Sequence, residues 1–253
     1  MKKARKINIG SYLLTFVLII LLALLTWSGY SWTLKTGLFG LEKIRITGNS
    51  IISESELHTI MGNLKQATLF DLNLVELSAK IEQHPYVAGA RLSCRYPHQL
   101  SVEIMERKPI AMVNMDPLVL LDLEGIVLPM VPQAFEFQLP ALSGFNPDQA
   151  LYPIGEHVLS AKMKETVTIL MEVHNHFPAL YNELSEITLN QDDEYTLILT
   201  DHPTLINFGN SDVIKKIITL MAFYEALRGI KSLTDYAYLD LRYAKQIIVK
   251  EWS

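Results

Sequence analysis

The sequence predicts an α+β protein with a single N-terminal transmembrane helix, then a β-α-α-β-β domain and a β-rich C-terminal domain with helices on one face. Three observations carry this. No charged residue stands between Lys6 and Lys35. From Leu41 to Ile104, strand-like and helix-like apolar patterns follow one another in the order β, α, α, β, β. Beyond Met112, short apolar runs bounded by turn residues dominate.

Composition narrows the classes. The chain has 253 residues, 49% hydrophobic and 19% charged, which is too apolar for an intrinsically disordered protein. A mean hydropathy of +0.19 points to apolar content concentrated in one place. Cys94 is the one cysteine, so no internal disulfide and no paired-cysteine zinc site is possible. The net charge of −5 conceals an asymmetry: Lys2, Lys3, Arg5 and Lys6 contribute +4, leaving −9 (−5 minus 4) on residues 7–253. An acidic body argues against nucleic acid as the partner, because phosphate binding needs a basic surface.

Residues 12–32 are the expected span: 21 residues at about 1.5 Å each cover roughly 30 Å, one bilayer core. Tyr12 at one end and Trp27, Tyr30 and Trp32 at the other suit the two headgroup layers. The basic residues in the tail, 1–11, set the N-terminus in the cytoplasm and the body outside it, as a single-pass type II protein. A cleaved signal peptide is the alternative, with a small-x-small site at Gly29-Tyr30-Ser31. Against it, the apolar run exceeds the usual signal-peptide core, and Trp27 and Tyr30 crowd the site.

In the body, Leu41, Ile44 and Ile46 line a first strand closed by Gly48-Asn49. Ser53-Glu54-Ser55-Glu56 reads as a capping box, and Leu57, Ile60, Met61 and Leu64 follow at helical spacing. Asn73 opens a second helix with Leu74, Leu77 and Ile81 on one face, stopped by His84-Pro85. Strands at 87–96 and from Leu100 follow, separated by Pro97, so both helices are expected on one face of a three-stranded sheet. Further on, 119–128 reads as a hairpin about Glu124-Gly125. Residues 158–177 read as a helix with Met163, Val167, Leu170, Met171 and Phe177 inward. Strands at 186–189 and 195–200 flank an acidic turn. A helix from Asp212, carrying Ile214, Ile217, Ile218 and Met221, closes at Gly229. Residues 238–243 and 246–249 end the pattern.

Several of these features together resemble the polypeptide-transport-associated (POTRA) domain of the FtsQ/DivIB cell-division proteins. They are Gly48-Asn49 after the first strand, Pro85-Tyr86-Val87, Tyr96-Pro97 with Leu100, and Glu106-Arg107-x-Pro109-x-Ala111. The hairpin at 119–128, Leu139-Pro140-x-Leu142-x-Gly144 and Asp240-Leu241-Arg242-Tyr243 before a last strand resemble that family's second domain. The resemblance implies a POTRA domain at 39–111 and a partner-binding β domain at 112–253.

Catalytic chemistry finds little support. His174 and His176 stand two apart, about 200° around a helix, and no third ligand is suggested by spacing. Asp192 and Asp193 read as a hairpin turn. Gly209-Asn210-Ser211-Asp212 reads as an ordinary capped helix start, and Cys94, beside Arg91 and Arg95, as a packing thiol. No catalytic, metal or cofactor site is expected. The last strand has little chain beyond it, and an uncovered edge can add a partner's strand. Gln246, Ile248 and Lys250 face one way and Ile247, Val249 and Glu251 the other, with one apolar set expected in the core. The resemblance implies that Arg242, Tyr243 and the strand Gln246, Ile247, Ile248, Val249, Lys250 and Trp252 dock the bitopic coiled-coil proteins FtsB and FtsL, although the Ala244-Lys245 spacer is shorter than the family's. It further implies a scaffold at the inner membrane and division septum that acts through them on the septal synthase, FtsW with FtsI. The alternatives are a POTRA-type adaptor for membrane-protein assembly or secretion, and a membrane-anchored periplasmic hydrolase around His174, His176 and His202.

Overall fold

The computed structural model describes residues 9–35, 39–64, 67–133, 137–200, 203–227, 229–243 and 246–252. The basic residues of the tail, the Ala244-Lys245 spacer and His202 lie outside the described residues. Helix α1, Ile9–Lys35, is 27 residues long, about 40 Å at 1.5 Å per residue. Its stretch Leu13–Trp32 has a mean hydropathy of 2.2 and no part of it is buried. The helix is therefore apolar all round and long enough to cross a membrane. Its hydroxyls are turned inward: Thr26 donates to the Leu22 carbonyl at 3.0 Å and Ser31 to that of Trp27 at 2.8 Å. Neither would meet lipid unsatisfied.

The chain divides into two compact units, residues 1–81 with 89–104, and residues 82–88 with 105–253. In the first, strands β1 (Lys43–Thr47), β2 (Val87–Arg95) and β3 (Gln99–Glu106) form a sheet in the order β1-β3-β2. Strand β1 runs parallel to β3. Helices α2 (Glu54–Met61) and α3 (Leu74–Glu82) lie between β1 and β2 in sequence, which is the expected β-α-α-β-β order. The Ser53 hydroxyl caps α2 by accepting from the Glu56 amide, and the Asn73 side chain caps α3 by accepting from the Glu76 amide. Each helix buries one stripe, Leu57 with Met61 and Leu77 with Ile81. The central strand buries Leu100, Val102 and Ile104.

The second unit is built on a nine-stranded sheet. Its strands are β4 (Pro109–Val113), β5 (Val119–Asp122), β6 (Val127–Pro129), β7 (Ala141–Ser143), β8 (Leu184–Leu189), β9 (Tyr195–Leu199), β10 (Leu205–Gly209), β11 (Tyr236–Asp240) and β12 (Ile248–Glu251). Their order is β12-β11-β10-β9-β8-β7-β4-β5-β6. Residues 109–111, assigned above to the first domain, are thus part of β4, which pairs with β5 and β7.

Helices α4 (Ala161–His176), α5 (Pro178–Glu183) and α6 (Val213–Leu227) share one core with alternate residues of these strands. From the sheet come Ile187, Leu197, Ile206, Phe208 and Leu239, and from the helices Met163, Leu170, Leu180 and Ile217.

The inward assignment of Met171 needs correction, and two of the isoleucines expected on the helix from Asp212 do not join the core. Met171 on α4 and Ile214 and Ile218 on α6 are exposed. Helix α6 meets the core through Val213, Ile217 and Leu220, at i, i+4 and i+7. Ile214 and Ile218 stand one residue on, about 100° around the helix, and so face solvent. The last strand also begins later than expected, at Ile248 instead of Gln246.

Candidate partner-binding edge

The two ends of the nine-stranded sheet are finished differently. At β6, residues 153–158 fold back along the strand: the Gly155 amide donates to the Val127 carbonyl at 2.8 Å and the Val127 amide to that of Glu156 at 2.9 Å. Single bridges Ile126–His157 and Val127–Ile154 complete the cover. At the other end, β12 pairs antiparallel with β11 on one side. Among the described residues, no segment pairs with its other side. Such an edge presents alternate N–H and C=O groups outward, ready for another strand.

Its side chains are exposed on both faces. Val249 stands opposite Leu239, and Ile248 opposite Asp240, so Val249 shares the helix-covered face and Ile248 the open one. Ile248 is 47% exposed and Val249 40%, and Lys250 and Glu251 are exposed too. The expectation that one apolar set of the strand enters the core is therefore corrected. Only Ile247, just before β12, packs against it. The physical reason is position: α6 packs on β10, two strands in from the edge, and leaves the terminal strand open. Gln246 is exposed, and Tyr243 is 51% exposed.

Arg242 is held from within the chain. Its Nη2 reaches Asp240 Oδ2 at 2.8 Å and its backbone amide donates to Asp240 Oδ1 at 2.9 Å. The Tyr238 hydroxyl donates to Asp240 Oδ2 at 2.9 Å, and Glu194 lies 3.7 Å from Arg242 Nη1. The Arg242 side chain beside it holds the Asp240 carboxyl at about 2, overcoming the opposing effect of burial. Asp240 in turn raises Arg242, which stays charged. Arg242 thus shapes the end of β11 as well as standing next to Tyr243.

The strand is pinned from a loop that sequence reasoning did not single out. Lys231 pairs with Glu251, and its ammonium lies 5.4 Å from the centre of the Tyr236 ring. Trp252 Nε1 donates to the Thr234 carbonyl at 3.1 Å, leaving the indole about half exposed. Thr234 sits in a 3₁₀ turn, Leu233–Asp235, that Ser232 and Asp235 cap just before β11, and only the fold brings it and Lys231 to β12. Buried Thr204 adds to this corner by donating to the Tyr236 carbonyl at 2.7 Å.

The residues considered for chemistry are scattered. The His174 ring packs edge-on against Tyr181 at 4.9 Å, whereas His176 approaches Glu172 at 3.5 Å. Among the described residues, no group of three His, Cys, Asp or Glu is placed to hold a metal ion. Asp192 and Asp193 belong to a turn in which Asn190 Oδ1 accepts from the Asp192 and Glu194 amides, both at 2.9 Å. The Cys94 thiol points at the Leu69 carbonyl, 3.6 Å away. The Arg107 of the Glu106-Arg107 motif bridges Asp122 at 2.8 Å and Glu124 at 2.6 Å. Asp122 meanwhile accepts from the Glu124 and Ile126 amides, so this motif ties the first hairpin of the second sheet.

Comparison with known proteins matches both units. The family model for the POTRA domain, FtsQ-type, covers residues 39–107, and that for FtsQ/DivIB, C-terminal related, covers residues 108–250. The chain is 25% identical over 226 residues to the cell division protein FtsQ of Geobacter sp. (strain M21), spanning 89% of this chain and 81% of that one. It is 26% identical over 217 residues to the FtsQ of Geotalea daltonii, covering 85% and 77%. For the FtsQ of Syntrophotalea carbinolica the identity is 27% over 212 residues, covering 84% and 74%. Because the two family matches run in order through both folded units, and the likeness spans most of each relative, this chain belongs to the FtsQ/DivIB family of cell-division proteins.

Proposed function

We propose that the chain is a non-catalytic scaffold of the division machinery whose β12 edge captures strands of FtsB- and FtsL-like bitopic proteins. A role in cell division comes with the family, and the long apolar helix fits a membrane-anchored division protein. In this reading α1 crosses the membrane with the tail 1–11 in the cytoplasm and residues 39–253 outside it. Backbone hydrogen bonds to β12 supply affinity, and Tyr243, Ile248, Val249 and Trp252 choose the partner. Through those partners the scaffold regulates the septal synthase FtsW with FtsI.

The observation that carries this reading is the contrast between the sheet's two ends: β6 is covered by its own chain, whereas among the described residues no segment pairs with the outer side of β12, where Ile248 and Val249 are exposed. The test is co-purification of the full chain with the FtsB and FtsL homologues of the same organism, with Tyr243→Ala and Trp252→Ala beside it. Retention of partner should fall at least tenfold in folded variants, in line with loss of an aromatic anchor (roughly 1.4 kcal/mol or more). Undiminished capture by both variants would place the interface elsewhere.

A further inference from the structure

Phe39, Phe70 and Tyr96 form an aromatic cluster on the first unit. Ring centres are 4.8 Å apart for Phe39–Phe70, 5.9 Å for Phe39–Tyr96 and 5.5 Å for Phe70–Tyr96. The three come from separate places: the segment before β1, the turn before α3 and the turn between β2 and β3. The fold fixes them together, since the Leu69 amide donates to the Phe39 carbonyl at 2.9 Å and Gly40 bridges to Thr68. Yet Phe70 is 61% exposed and Tyr96 57%. Two large rings kept in contact and in water form an apolar patch, which marks an interaction site.

The position of Phe39 indicates what covers the patch. Only residues 36–38 separate it from Lys35, the last residue of α1. Four steps of chain at about 3.6 Å span no more than roughly 14 Å. Phe39 is therefore tethered close to one end of the apolar helix, on the side marked by Trp27, Tyr30 and Trp32. Aromatic side chains favour the headgroup layer of a bilayer, which is about 5–8 Å deep on each side. Arg91 and Arg95 on β2 are exposed, and Arg95 adjoins Tyr96, supplying charge suited to lipid phosphates.

We propose that the Phe39–Phe70–Tyr96 cluster seats in the lipid headgroup layer and holds the first domain against the membrane that α1 crosses. The inference rests on the reading of α1 as a membrane span. Docking would fix how far the domain stands from the bilayer.

The test uses the full chain in nanodiscs of phosphatidylcholine and phosphatidylglycerol containing headgroup-nitroxide lipid. Cys94→Ser removes the native thiol, and Glu42→Cys, close to Phe39 and exposed, carries a fluorophore. Strong quenching is expected, falling at least twofold in the Phe70→Ser/Tyr96→Ser variant. A Phe70→Trp/Tyr96→Trp variant, which restores ring area, should regain it. Circular dichroism reports whether the serine variant folds, and Tyr96→Ser alone serves if it does not. Weak quenching in the parent, or quenching unchanged by the serine substitutions, would overturn the docking. Loss of the chain from lipid in an alkaline wash would instead overturn the membrane span, and the docking with it.

Discussion

At the scale of single residues, Asp240 shows how a short motif does structural work beside a candidate interface. It accepts from the Arg242 side chain and amide and from the Tyr238 hydroxyl while itself nearly buried. Its folded-state pKa of about 2 lies below the ordinary aspartate value of about 3.9. The group therefore contributes stability in full above about pH 4, and this is lost as pH falls towards 2. Urea unfolding across that range should show an acid-dependent loss of at most about 2 kcal/mol, and Asp240→Asn should flatten it. An unchanged slope in the asparagine variant would contradict the assignment. Gly144 gives a second case. It has φ +81°, and a Cβ would stand 2.0 Å from the Leu189 carbonyl oxygen. Gly144→Ala should cost about 3 kcal/mol or more, visible as a lowered denaturant midpoint. The string Leu142-x-Gly144 resembles a family feature in the sequence, but the reason for the glycine, a carbonyl from β8 pressed against it, exists only in the folded sheet.

At the scale of elements, periodicity located α2, α3, α4 and α6 but neither the short helix α5 nor which residues of α6 face inward. On α6 the inward stripe is Val213, Ile217 and Leu220, so the neighbouring isoleucines 217 and 218 have opposite surroundings. Ile217→Ala should cost about 2–4 kcal/mol and Ile218→Ala less than about 0.5, measured by chemical denaturation. Equal losses would mean that the helix is rotated from this placement. An isoleucine cluster at 214, 217 and 218 cannot reveal which member faces inward when the stripe is read from composition alone. Strand β10 was hidden for a different reason. Its five residues include Asn207 and Gly209, too polar for a core-strand signature, and they are placed by parallel pairing with β11. The segment 145–156 has no recognisable pattern, yet part of it, with the residues that follow, covers the β6 edge. Edge covering is a non-local property and leaves no periodic trace.

At the scale of the whole molecule, the order of elements was legible because each domain repeats simple alternations of apolar residues between turn signals. The long apolar helix was legible because no charged residue stands between Lys6 and Lys35. What single-sequence reasoning could not supply was the setting of the last strand. The family resemblance implied a docking strip at Arg242, Tyr243 and the strand from Gln246 to Trp252, which is a proposal here, and the sequence pattern led to the expectation that one face of β12 is buried. The structure instead leaves both faces of β12 exposed, with Lys231 and Thr234 holding its end. The central claim is that partner strands add to the outer side of β12. Hydrogen exchange of the full chain in nanodiscs, with and without the FtsB and FtsL homologues, tests it most directly. The account predicts that amides at 248–251 exchange at least tenfold more slowly with the partners present, while those covered at β6 are unchanged. Partner binding that leaves the β12 amides as fast as before would contradict it.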